Sequence, residues 1–120
     1  MRKYRANQIV DAIAKYAALS YGKCQQKLLN GEVNSLTDTG CTSNALIGNY
    51  ENTDLGQLPA GVTKINHAYI DITSGTGADM VMTYVSFTDG KICQAVASIV
   101  GEGCNSISDD YDMFVPNIQN

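Results

Sequence analysis

The chain has no tryptophan, and its 120 residues include only two phenylalanines, two prolines and one histidine. With so few large aromatic anchors, a core must be assembled from Ile, Val, Leu, Ala and Met, and it is thin for its length. No apolar run approaches the roughly 18–20 residues of a membrane span. Nor does the N-terminus carry the apolar h-region of a secretory signal. Positive charge is also short: eight Lys and Arg stand against twelve Asp and Glu, for a net charge of −4. Nucleic acid demands a basic face, so no nucleic-acid partner is expected. A single His67, without paired carboxylates at useful spacing or a nucleophile motif, argues against an enzyme and gives no reason to expect a cofactor.

Four cysteines are present: Cys24, Cys41, Cys93 and Cys104. No two have the spacing of a zinc knuckle or a redox motif, and His67 is remote from all of them in sequence. An even count without ligand spacing predicts two disulfides and an oxidising compartment. Each bridge contributes on the order of 2–4 kcal/mol, which matters to a thin core. Three pairings are possible. Cys24–Cys41 with Cys93–Cys104 is preferred, because short loops close at least entropic cost. The cysteines thus imply export although nothing directs it. The expectation is that Met1 begins a processed or engineered fragment.

Residues 4–31 read as one amphipathic helix. Ala6, Val10, Ile13, Ala17, Tyr21, Cys24 and Leu28 recur at steps of three or four, and Ile9, Tyr16 and Leu29 widen the stripe. Gln8, Asp11, Lys15, Gly22, Lys23 and Gln26 lie opposite, with Asp11 and Lys15 in the favourable order for an ion pair. Asn30-Gly31 supplies the stop. Residues 32–58 turn to Asn, Thr, Ser, Gly and Asp, a long irregular connection with Cys41 as its staple and room for a helical turn near 42–47.

Strand signals come next. Residues 62–73 alternate, with Ile65, Ala68, Ile70 and Ile72 apolar and a slip near His67; residues 80–87 are rich in β-formers. "SGTGAD" reads as a turn, and Asp89-Gly90 is the strongest hairpin-type signal in the chain. Residues 91–100 fit a helical period through Ile92, Ala95, Val96, Ile99 and Val100, although their β-branched ends also suit a strand. A short helix ended by Gly101 and Gly103 is preferred. One more short strand is expected at 112–115, before Pro116. The fold class is α+β: a long N-terminal helix packed on a small, mainly antiparallel sheet, with a short second helix and two disulfides. It forms a single domain divided into helix (1–30), stapled loop (31–60) and sheet with the C-terminal disulfide (61–120).

Few residues invite chemistry. Asp109, Asp110 and Asp112, with Ser106 and Ser108, offer oxygen ligands of the kind Ca²⁺ takes, but the Gly and distant Glu of an EF-hand loop are missing. An ordinary solvated loop is the better reading. "GTGAD" precedes a strand, whereas a phosphate loop follows one and opens a helix, so it is a turn. Met80, Met82, Met113, Phe87 and Phe114 read as core rather than as a sticky patch. His67 reads as a strand-surface or hydrogen-bonded histidine rather than the partner of a free thiol.

"KYRANQIVDAIAKYA" resembles the segment that follows the hydrophobic stem in type IV pilins and pseudopilins. "KICQAVASIVGEGC" followed by "DDYDMFVPN" is similar to their cysteine-bracketed end region, and a helix after the second or third strand resembles the type IVb branch. The resemblance implies a structural subunit that polymerises into a type IV pilus or a type II secretion pseudopilus and contributes to adhesion. It implies other pilin subunits as partners, along with the inner membrane, reached through an apolar helix half ahead of Met1, and a host or surface receptor. It places the protein in an extracellular filament, membrane-anchored in the periplasm before assembly. Arg2, Lys3 and Arg5 then sit just past the membrane, where acidic lipid or a partner's carboxylate meets them; otherwise they are a solvated helix start. A free-standing secreted, disulfide-stapled binding or adhesin domain is the alternative.

Overall fold

The computed structural model describes residues 2–42, 46–72 and 78–119, with backbone alone for Arg2 and Ala68. Helix α1, Arg2–Leu29, leads into the connection, which holds two short 3₁₀ turns, Thr39–Cys41 and Tyr50–Asn52. Strands β1 (Val62–Ile72) and β2 (Asp79–Phe87), helix α2 (Gly90–Val100) and strands β3 (Asn105–Ile107) and β4 (Asp110–Gln119) complete the chain. The four strands form one antiparallel sheet in the order β1-β2-β4-β3. Both helices pack on the same side of it. The disulfides are Cys24–Cys41 and Cys93–Cys104. The α+β expectation and the local pairing both hold.

Helix α1 buries Ala6, Ile9, Ile13, Tyr16, Ala17, Tyr21 and Cys24 as its periodicity dictates. Asp11 and Lys15 pair at 3.1 Å on the solvated side, where such a pair adds only tenths of a kcal/mol. The buried stripe is shorter than the periodicity predicts. Leu28 and Leu29 are 38% and 87% exposed, because past Cys24 the helix overhangs the sheet. Gly31, at φ 75°, then ends it with the Glu32 N–H on the Lys27 carbonyl at 2.8 Å.

The slip near His67 is a β-bulge. His67 stands opposite Thr83 and Tyr69 opposite Met82, leaving Ala68 as the extra residue. The bulge turns both His67 and Ile70 toward the helices. Ile72, expected to be apolar core, is 45% exposed at the strand's end. Thr73 and "SGTG" lie outside the described residues, as does half of the helical turn sought near 42–47, residues 43–45. Asp79, the last residue of that turn, already opens β2.

Asp89-Gly90 makes no hairpin. The Asp89 carboxylate accepts the Ile92 N–H at 2.9 Å and caps α2, an N-cap role open to the same residue types. Glycine suits position 90 because a Cβ there would lie 2.9 Å from the Tyr111 ring. The hairpin is instead β3–β4, with Ile107 opposite Asp110 and a two-residue turn, Ser108 and Asp109, at φ 51° and 68°. Nor does β4 stop at Pro116. Beyond Asp112 it has β2 on one side and no strand on the other, and an open edge tolerates a residue without an N–H.

Candidate functional site

The interior is two apolar clusters with a polar layer between them. The first gathers Ala6, Ile9, Ile13, Ile65, Val85 and Val96; the second gathers Ala17, Tyr21, Cys24, Cys41, Ile70 and Val81. On each facing element the change of cluster coincides with a buried polar group: Tyr16 and Ser20 on α1, His67 on β1 and Thr83 on β2. The Tyr16 hydroxyl donates to the Gly48 carbonyl at 2.5 Å and accepts the His67 backbone N–H at 2.7 Å. Its ring stacks on Tyr50. Burial chiefly pushes its pKa up to about 12. The Ser20 hydroxyl lies beside this phenol without a well-aimed hydrogen bond of its own.

The His67 ring reaches the Cys41 carbonyl through Nε2. A carbonyl only accepts, so Nε2 carries the proton and Nδ1 is the bare nitrogen. Among the described residues Nδ1 and Thr83 Oγ1 have no hydrogen-bond partner. The layer therefore pins the long connection twice, at Cys41 and at Gly48, alongside the Cys24–Cys41 bridge. Below it, the Tyr21 hydroxyl donates to Asp79, and that bond is the main reason its pKa rises to about 12. Nothing in the chain's composition marks this layer. The one sequence signal is the broken alternation at His67.

Burial lowers the pKa of His67 below its ordinary value. The unfolded chain then takes up a proton at a higher pH than the folded one. The contribution of His67 is intact above pH 6.5 and declines as the pH falls below it, by at most about 1.4 kcal/mol per pH unit. Denaturant titrations between pH 7.5 and 4.5 should show this decline in the wild type and its absence in His67→Gln. Parallel curves for the two proteins would count against a buried neutral imidazole.

At the other end, the first turns of α1, helix α2 and the β3–β4 hairpin frame an open groove of about 1150 Å³. Lys3 and Ala6 line it with Lys91, Gln94, Ser98 and Tyr111, and Cys104 of the second disulfide sits at its margin. The structure thus brings Lys3 and the Cys93–Cys104 region together. It separates Arg5, which lies over Gly61 at the entry to β1, with Cδ 3.7 Å from where a Cβ would stand. The Asp89 carboxylate at the groove is already engaged in capping α2. Two ammonium groups, an amide and hydroxyls above an apolar floor suit a polar or anionic segment of another chain.

The other residues singled out from the sequence have plain structural places. All four cysteines are disulfide-bonded, so His67 has no thiol to activate, and it is buried rather than on the strand surface. Asp109 occupies the β3–β4 turn, while Asp112 accepts from the Tyr84 hydroxyl at 2.6 Å and from Asn105 Nδ2 at 3.2 Å. The acidic run is a hairpin, and no three acidic, His or Cys residues converge for a metal among the described residues. Met113 and Phe87 are core as expected, but Phe114 is 48% exposed and Met80 and Met82 are half-buried on the far side of the sheet. Among the described residues no helix is long and apolar enough to cross a membrane. No protein-family model matches the chain, and neither a curated protein nor a solved structure matches it.

Proposed function

We propose that the chain is the globular part of a structural subunit of a type IV pilus or a type II secretion pseudopilus, acting by assembly rather than catalysis. The observation that carries this reading is α1: 28 residues of helix, with one face on the sheet and Gln8, Asp11, Lys15, Ala18 and Gln26 exposed on the opposite face. Such a helix is a rod that can serve two layers at once, its own domain and a neighbour. Two features support the role. The connection after α1 is stapled to it by Cys24–Cys41, and a second bridge closes the region before β4. Beside α1, a groove of about 550 Å³ edged by Ala18, Leu19, Gly22, Leu46 and Leu55 gives a neighbouring helix somewhere to lie.

On this reading Lys3 and Arg5 lie next to the membrane before assembly and meet neighbouring subunits after it. The coding sequence immediately upstream of Met1 tests the proposal. A short basic leader followed by about 20 apolar residues continuing the helix is the expected result. A conventional cleaved signal there would instead make this a free-standing secreted binding domain, with the Lys3–Lys91 groove as its binding face.

A further inference from the structure

An antiparallel sheet with helices on one side usually turns polar residues outward on the other. This sheet does so only at the rim. The register sets four rows across its open face: Lys64, Ser86 and Asp112; Asn66, Tyr84 and Phe114; Tyr69, Met82 and Pro116; Asp71, Met80 and Ile118. The middle of that grid is apolar, and its large side chains stay in solvent, with Tyr69 43%, Phe114 48% and Ile118 65% exposed. Tyr84 and Phe114 hold one another in a tilted ring pair at 5.3 Å, so the surface is preorganised. Both helices lie on the other side of the sheet.

We propose that two copies of the domain pair through these open sheet faces, turning two half-covered sheets into a four-layer stack around a new apolar seam. Charge placement argues for a second copy as the occupant. Lys64 is the one cation of the grid, and the carboxylates of Asp112 and Asp71 occupy two other corners. A two-fold axis along the strands sets Lys64 over the partner's Asp112. An axis across the strands sets it over the partner's Asp71. Either way of stacking like on like pairs opposite charges twice at the rim, a property of a self-complementary isologous surface.

Size argues for a weak pair. Three strands about 4.8 Å apart and four rows about 6.7 Å apart cover roughly 400 Å². That matches the largest apolar patches of monomers and falls short of the roughly 800 Å² per partner of a standard interface. Sheets that stack face to face do so about 10 Å apart with strands within about 30° of aligned. The pairing does not rest on the filament reading. It belongs to the domain alone and stands or fails whatever precedes Met1.

Sedimentation equilibrium of the disulfide-intact domain at rising concentration tests it. A monomer–dimer equilibrium is expected, with Phe114→Asp and Ile118→Lys each weakening it at least tenfold and Leu29→Lys leaving it unchanged. Far-UV circular dichroism confirms that the variants fold. At low salt Lys64→Asp should weaken the pair severalfold. Adding Asp112→Lys or Asp71→Lys should restore it, the successful rescue naming the axis. A monomer even at about 1 mM, which leaves the face to a different partner, overturns the pairing. So does self-association indifferent to Phe114→Asp and Ile118→Lys.

Discussion

Replacing Cys24 and Cys41 together by alanine is expected to lower stability by about 3 kcal/mol, with a fall in melting temperature of roughly 10–15 °C. The bridge closes a sequence separation of 17 residues, and restricting the unfolded chain accounts for most of that loss. The rest is local. Cys41 presents its carbonyl to His67, and without the bridge this carbonyl and the ring lose the element that holds them in register. Removing Cys93 and Cys104 instead, at a separation of 11, frees a shorter loop and should cost less. Thermal unfolding of the two double variants side by side gives the comparison. A smaller loss for Cys24/Cys41 than for Cys93/Cys104 would contradict the account of the first bridge as an anchor of the connection.

Tyr16→Phe should cost about 2–4 kcal/mol although it deletes a single oxygen. That oxygen satisfies two backbone groups, the Gly48 carbonyl and the His67 N–H, and the residue is fully buried. Each group left unpaired in the interior costs on the order of 1–3 kcal/mol, whereas a hydrogen bond exposed to water costs little to lose. The phenylalanine ring still stacks on Tyr50, so the deficit reports the hydroxyl alone. Chemical denaturation measures it, with Tyr4→Phe, 66% exposed, as the surface comparison. A deficit below about 0.5 kcal/mol would mean that the connection is not held at Gly48.

Much of this architecture is legible in the sequence where one period runs long enough to dominate. The nearly eight turns of α1 announce themselves, and their stripe selects the buried face correctly as far as Cys24. Short-range signals are ambiguous for physical reasons. Asp-Gly serves a hairpin or a helix start, and the choice rests on whether residues 91–100 coil so that the Asp89 carboxylate finds the Ile92 N–H. Ser108-Asp109 makes the real hairpin with residues that only tolerate a left-handed backbone. Ser20 and Thr83 are fully buried hydroxyls, invisible to any rule that sorts residues by polarity. In "MVMTYVSF" Met80 and Met82 read as core beside Phe87, but alternation along the strand puts the two methionines on the opposite side from Val81, Val85 and Phe87. That side is in solvent.

The two disulfides do not reinforce the same half of the molecule. Cys93 belongs to the apolar cluster shared by α2 and the start of α1, while Cys24 and Cys41 belong to the cluster beneath the connection. With hydroxyls and an imidazole at the waist between them, each half is a separately riveted block. Amide exchange should accordingly resolve two opening units rather than one, the block holding residues 33–41 releasing its protons first. A rod that crosses both blocks, as α1 does, would let one end of the molecule loosen while the other keeps its shape.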